Sequence, residues 1–566
     1  MLNRRTFLKT ATAAGVAGAS IPQIADASLF GRKSAEYFGV HPFIESHPEA
    51  VFIMRTNVNT KTDAKAKKAV GESFSRSVFV PMNKPGIPVS HKIAIKPNLT
   101  GHSAVTERFS LEDTMGIATD PDYVEGFIEG MKDLGPKGKQ FYLREVNGTR
   151  IFEPRGYYKV AKRTGADLRD LRGRVSTIDE KKIAQWSNAP VLDDDLLQWR
   201  DCPDGKIHRK IPYLWPVNAP DAFNLNIAKF KAHFMGLTLA SKNFQGSVAN
   251  GYQHFCTKFQ GIGNLPDEHK NPDAVTFIEE SLRRHKADGV PRWDKPEMDS
   301  KDPAYIRPEG YTVTCQEVWS HRALDNLSAS NVGLHIVEGI YGRDGDGFLL
   351  GPNPLGNEDN YKGAAWDYMT NIIIFGKDPV RVDLVGKWLG GHEPGNFGFF
   401  HIAMERGKLN VMNPMNVPVY LWEEGRTEMK PLDSFERTPL KTCYLQRNYN
   451  GMNEPVYHLV NEHFDYTKID ETAAPKPSRP FLSLMNDGLA SLNGIIAFEY
   501  GMPRESEVLI ELYDESDKLI TVLKRSIAHE GYHMASWNTE GYKSGKYSCR
   551  FRCDGIDESV SLDLKV

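Results

Sequence analysis

Between Asn226 and Gly246 the chain reads Asn-Ile-Ala-Lys-Phe-Lys-Ala-His-Phe-Met-Gly-Leu-Thr-Leu-Ala-Ser-Lys-Asn-Phe-Gln-Gly, a denser gathering of polar chemistry than any other stretch. Lys229, Lys231 and His233 recur at every second position, and Thr238, Lys242 and Asn243 follow closely. Ammonium groups hold anions, and an imidazole titrates nearest neutrality and so suits proton transfer. The composition of the stretch points to a site for a phosphate, carboxylate or sulfonate, with His233 as general acid/base.

Such groups need positioning. Phe223, Leu225 and Ile227 alternate with polar or small residues, the two-residue period of a strand. Continued through Lys229, Lys231 and His233, that period puts all three on one face, where burial of unpaired lysines is costly. They are expected to face a cleft; the plainer alternative is a solvated strand edge with His233 capping a loop. Gly236 breaks the run. Leu237 to Phe244 then predict a short helix, capped by Thr238, with Thr238 and Lys242 on one face and Gly246 as the stop. A helix N-terminus beside these cations would add amide donors to the anion site.

Other predicted strand ends deliver polar groups too. The strand from His91 to Asn98 presents Lys96 and Asn98, the one over Gln140 to Arg144 runs out at Glu145 and Asn147, and the one over Asn331 to Val337 leads to Glu338 and then Arg343. Helices expected at Lys61 to Phe74, Pro121 to Met131 (capped by Asp120) and Phe152 to Thr164 alternate with these strands through short links. That rhythm predicts an α/β fold: a mixed, largely parallel sheet with flanking helices. Ligands bind outside the carboxyl ends of such strands, so the dispersed ends are expected to converge on one cleft. Lys96, Asn98, Lys229, Lys231, Thr238, Lys242, Asn243 and Arg343 are the candidate substrate-binding residues. His233, Glu145 and Glu338 are the candidate catalytic set, with either carboxylate orienting His233 or ligating a metal. The sequence specifies neither a metal nor an organic cofactor. His254, Cys256, His392 and His401 are weaker metal candidates, and Asp344-Gly-Asp346-Gly lacks the acidic ligands that complete a calcium loop.

The string Lys-x-Lys-x-His, Gly-x-Thr, Lys-Asn-x-x-Gly resembles the signature of the family called domain of unknown function 362. Ile95-Lys96-Pro97-Asn98, Glu338-Gly339 (where the family usually has Asp-Gly) and Asp378-Pro379-Val380-Arg381-Val382-Asp383 follow in the family's order, so the resemblance spans roughly Lys92 to Asn410. It implies architecture more than activity. Many relatives carry an iron–sulfur module that needs four closely spaced thiolates; the six cysteines here, Cys202, Cys256, Cys315, Cys443, Cys549 and Cys553, form no Cys-x-x-Cys and specify no disulfide pairing. The family is distantly similar to nickel-cofactor lactate racemases, whose chemistry uses His and Lys around a bound cofactor; no racemase activity is assigned from that likeness.

A chain of 566 residues is expected to hold two or three domains. Asn3-Arg4-Arg5-Thr6-Phe7-Leu8-Lys9, the weakly apolar Ala11 to Ile21 and Ala25-Asp26-Ala27 read as a twin-arginine signal peptide over residues 1–27. The export machinery is then a partner, and a bacterial periplasmic or extracellular location follows. Residues 28–467 form the α/β domain, with an inserted subdomain at about 251–320, and the proline-bearing 468–480 is a linker. Residues 481–566 alternate apolar and polar at short intervals, an all-β sandwich. Its Trp537-Asn538-Thr539 and Ser544-Gly545-Lys546-Tyr547 resemble the immunoglobulin-like domain of flagellar hook-capping and bacterial secreted proteins, which implies surface or protein docking. A net charge of -3 argues against nucleic acid, and no stretch reaches a membrane-spanning run. Two function classes stay open: an exported enzyme or cofactor-dependent catalyst acting on an anionic small molecule, and a non-catalytic exported ligand-binding or cell-surface scaffold protein.

Overall fold

The computed structural model describes residues 36–82, 86–100, 110–146, 148–169, 196–233, 236–249, 267–287, 311–345, 347–349, 365–423, 426–441, 445–447, 455–457, 463–469, 477, 479–484, 495–528, 530–539 and 541–564. The signal peptide, Asn147, His254, Cys256, Asp346 and Cys443 lie outside them, as does most of the linker.

The alternation around Phe223 does form a strand, and it sits inside a nine-stranded sheet. In chain order the strands are β1 Val51–Arg55, β2 Lys92–Pro97, β3 Phe141–Leu143, β4 Ala222–His233, β5 Gly236–Thr238, β6 Leu334–Arg343, β7 Asp367–Gly376, β8 Val419–Glu423 and β9 Arg426–Met429. Across the sheet they run β9-β8-β1-β7-β6-β4-β2-β3, with β5 folded back on β4. β3, β2, β4 and β6 are mutually parallel, β7 runs against its two neighbours, and β8 is parallel to β1. The α/β expectation of a mixed, largely parallel sheet therefore holds.

Every residue of β4 is buried, as expected of a strand covered on both faces. Phe223, Leu225 and Ile227 join a core with helices α1 (Ala64–Val78) and α2 (Pro121–Lys132) through Phe74, Val124 and Phe127. Ala228, Phe230 and Ala232 pack on the other side against Val380, Leu384 and Val385. With Lys229 and Lys231 both fully buried, the solvated-edge reading of β4 is excluded.

Helix ends follow local chemistry where a cap is adjacent in sequence. Asp120 accepts from Asp122 N and Tyr123 N at the start of α2, and Asp378 accepts from Val380 N and Arg381 N. The helix expected from Phe152 to Thr164 is broken into Thr149–Phe152 and Tyr157–Thr164, because Gly156 takes a left-handed φ of 77° between them. Thr238 departs from expectation as well: it is the last residue of β5, and helix α3 (Ala240–Phe244) begins after Leu239 without a side-chain cap from either. Within the expected insertion, Ala274–Ala287 is helical.

Beyond the α/β part lie two antiparallel sheets, one of Phe481–Leu484, Ile495–Met502 and Gly531–Asn538, the other of Ser506–Asp514, Leu519–Ala528, Gly545–Cys553 and Ile556–Leu564. They share one core, in which Phe498, Tyr500 and Trp537 meet Val508, Ile510 and Phe551, so this all-β region is a sandwich. Among the described residues no helix is long and apolar enough to cross a membrane.

Candidate functional site

Parity along the strands decides which polar groups meet. Ile95, Ile227 and Ile336 share one core, on the α1–α2 side of the sheet. Lys96 comes one residue after Ile95 and so points to the other side, whereas Lys229 and Glu338 come two residues after Ile227 and Ile336 and stay on the α1–α2 side. The strand ends thus supply two separate buried clusters in place of the single cleft the sequence leads one to expect.

The first cluster lies at the ends of β2 and β3, under α3. Lys96 Nζ is 2.6 Å from Glu145 Oε2 and also donates to Pro97 O (2.7 Å) and Asn243 Oδ1 (3.1 Å). Asn243 is held by a ring of amide bonds: Asn98 Nδ2 donates to its Oδ1 at 3.1 Å, and its own Nδ2 donates to Asn226 Oδ1 at 2.7 Å and Lys96 O at 3.1 Å. Glu145 also accepts from Leu99 N and Val146 N. Burial dominates the titration of the pair, pulling Lys96 down, with the nearby charge of Lys242 adding to that, and pushing Glu145 up. Lys242 is half-buried and makes no ion pair or hydrogen bond among the described residues, and the buried Asn98 Oδ1 accepts none.

Gly246, expected only as a helix stop, makes this arrangement sterically feasible. A Cβ there would stand 2.6 Å from Glu145 Oε1 and 2.8 Å from Lys96 Nζ. Gly246→Ala is expected to force the pair apart and to lower stability by about 1–3 kcal/mol, measured by denaturant unfolding; an unchanged midpoint would show that the pair yields freely.

In the second cluster Lys229 Nζ lies 2.8 and 3.0 Å from the two oxygens of Glu338 and 3.4 Å from the centre of the Tyr341 ring. Asp120 N and Ile340 N donate to the remaining lone pairs of Glu338. Asp120 in turn accepts from Lys67 Nζ at 2.7 Å and Tyr341 OH at 2.6 Å. Both members of the pair are wholly buried, and both Glu338 oxygens are doubly bonded within the protein. This network clamps α2 to β4 and β6.

The rest of the candidate set is spread between these clusters. Lys231 Nζ donates to Gly347 O (2.7 Å), and the His233 ring meets Phe348 edge-on at 5.4 Å. Among the described residues no hydrogen bond joins His233 to Glu145 or Glu338. Thr238 stands opposite Lys231 in the β4–β5 pairing, and its buried Oγ1 has no hydrogen-bond partner among the described residues. Arg343 binds Asp367 Oδ1 at 2.6 Å, Asp113 O and Phe348 O.

The amides that open α3 are already bonded to an acid of this chain. Asp383 reaches across from helix α4 (Pro379–Leu389), and its two oxygens accept from Ala240 N at 2.6 Å and Ser241 N at 2.9 Å. An exogenous anion has no place there. Burial raises the Asp383 carboxyl to about 7. A carboxyl raised on folding contributes stability that is full below its ordinary range and is lost as pH climbs through the raised value. Relative to Asp383→Asn, the wild type is expected to lose on the order of a few kcal/mol between about pH 4 and pH 7. Unfolding curves for both chains at several pH values check this, and parallel pH dependences would contradict it.

For metals, His392 Nε2 lies 2.7 Å from Leu440 O and His401 Nε2 2.7 Å from Gly395 O. Among the described residues no group of three or more His, Cys, Asp or Glu side chains is placed to hold an ion. A residue missed as a site member is Asn226, which appeared only as the head of the central stretch; Asp383, expected one turn into its helix and facing the cleft or pairing with a lysine, bonds the α3 amides. For Asn226 the signal was present, since its even register matches the residues facing α3.

Residues 180–387 match the family model described as Domain of unknown function (DUF362). The matched region takes in β4, β5, α3, β6 and β7, and with them Asn226, Lys229, Lys231, His233, Thr238, Lys242, Asn243, Glu338 and Arg343. Lys96, Asn98 and Glu145 lie before it, so the first cluster joins side chains from inside and outside the matched region. No curated protein matches the chain.

Proposed function

We propose that this chain is an exported enzyme acting on an anionic small molecule, with its chemistry at the Lys96–Glu145 cluster. The observation that carries the reading is a buried amine–carboxylate contact of 2.6 Å whose members are shifted toward one another, Lys96 downward and Glu145 upward. Such a pair suits proton abstraction and return. Lys242, half-buried and close enough to bias Lys96, holds the substrate's anionic group. Asn98 Oδ1 accepts from a hydroxyl or amine on the same molecule. His233, which the sequence nominates as acid/base, then lines the far end of β4 beside Phe348, and Lys229–Glu338 keeps the sheet and α2 in register. Export rests on the twin-arginine motif, and an immunoglobulin-like docking role for the sandwich rests on its sequence likeness.

The second reading is a non-catalytic exported ligand-binding or scaffold protein. The separate core of the C-terminal sandwich favours it. Natively exported chain incubated with a defined mixture of small carboxylates and organic phosphates, followed by mass spectrometry, separates the two. The enzyme reading expects conversion of at least one anion, with Lys242→Ala needing roughly ten- to a hundredfold more substrate for the same rate. Retention of an unaltered anion on the wild type, with no conversion, would favour the scaffold.

A further inference from the structure

Helix Thr149–Phe152 is followed by Arg155, which is 94 % buried and meets no carboxylate within ion-pair distance among the described residues. Its Nη1 donates to Thr114 O at 2.6 Å and to Thr114 Oγ1 at 3.2 Å. The neighbouring carbonyl, Asp113 O, accepts from Arg343 Nη1 at 2.8 Å, so one turn of backbone anchors both guanidinium groups side by side. Arg343 is fully buried as well. The Nη2 atoms of both arginines are buried and, among the described residues, without a hydrogen-bond partner.

The acids nearby already have partners for their oxygens. Asp367 is the carboxylate in contact with Arg343, and Lys61 Nζ and Gly116 N already occupy its second oxygen. Asp113 turns its carboxylate to Ser110, and Asp344 gives its oxygens to Trp366 N and Tyr368 OH. Asp113 and Asp344 lie close enough to attract Arg343, yet among the described residues Asp367 is the carboxylate in ion-pair contact with it, and Arg155 contacts none. Buried guanidinium groups with open donors are costly unless an acceptor meets them, and the planar fork of arginine matches an oxyanion. Their mutual repulsion shows in Arg155, which burial and Arg343 together pull down to about 10.

We infer that Arg155 and Arg343 form a binding site for an oxyanion, a carboxylate or phosphate oxygen received between their two free Nη2 groups. The site lies beside Tyr341, on the Lys229–Glu338 side of the sheet, and stands without the catalytic reading of Lys96 and Glu145. Removing Arg155 deletes half of the fork and strands no carboxylate, so Arg155→Met is a fair test.

The experiment is thermal unfolding of the full chain titrated with inorganic phosphate and, separately, with acetate at fixed ionic strength. The wild-type midpoint is expected to rise and saturate with at least one of the two. Arg155→Met should need at least tenfold more anion for this rise, and the part of the rise that Arg155→Met removes should persist in Lys242→Ala, on the other side of the sheet. If Arg155→Met does not fold, Arg155→Lys serves instead; it keeps the charge, loses the fork, and should titrate at least threefold more weakly. A wild-type midpoint indifferent to both anions overturns the inference. So does a rise abolished by Lys242→Ala and retained in the Arg155 variant, which would move the anion to the other cluster.

Discussion

Lys96→Met is expected to lower turnover of the anionic substrate by about a hundred- to ten-thousandfold, the range that a positioned acid or base supplies. The residue is enclosed by Glu145, Asn243 and the Pro97 carbonyl, which hold its amine against the carboxylate. The pH dependence of the wild-type rate should carry the same signature. Burial pulls Lys96 down and pushes Glu145 up, so both limbs of a bell-shaped profile should fall inside the interval between ordinary carboxyl and ammonium ranges. A variant that keeps more than about a tenth of wild-type turnover would remove Lys96 from the acid–base role.

The largest loss of stability is expected from Glu338→Gln. Lys229 has no exposure to solvent, and its two short contacts are both with the Glu338 carboxylate. Neutralising the acid leaves a buried ammonium beside an aromatic ring, a change that costs about 3–5 kcal/mol when one partner of a buried pair is removed. Asp120 N and Ile340 N would also lose their charged acceptor, loosening the start of α2. Denaturant unfolding checks the value. A loss below about 1 kcal/mol would show that the interior around Tyr341 admits water or relaxes around the lysine.

How much of this was legible in the sequence depends on how far apart the interacting residues lie. The β4 alternation, the α2 cap at Asp120 and the cap at Asp378 are local signals, and the chain folds as those signals direct. The strands of the C-terminal region were legible for the same reason. Thr238 looked like a helix cap because Thr favours that position, yet the true partner of the α3 amides is Asp383, 143 residues from Ala240, and no local pattern announces it. The grouping of the lysines was half legible. Treating strand ends as a set led to one cleft, although the register of Lys96 against Ile95 and of Lys229 against Ile227 already puts them on opposite sides of the sheet. Gly246 carried a steric meaning visible only once Lys96 and Glu145 came together from 49 residues apart. Arg155 had no sequence signal of its own, since the anion site proposed there rests on the lack of a carboxylate in contact with it among the described residues.

The two buried Lys–Glu pairs resemble each other in distance and burial, but under the proposed function one moves a proton and the other holds the sheet. Replacing a whole buried pair by apolar residues of similar size is often neutral or stabilising, so the double variants Lys96→Met/Glu145→Leu and Lys229→Met/Glu338→Leu should both remain folded. The decisive measurement is turnover of the anionic substrate by these two proteins, each first shown to be folded by its unfolding transition. The first is expected to be inactive and the second to keep activity within about tenfold of the wild type. Activity retained in Lys96→Met/Glu145→Leu would contradict the proposed function, because the chemistry would then lie elsewhere and the 2.6 Å pair would be structural.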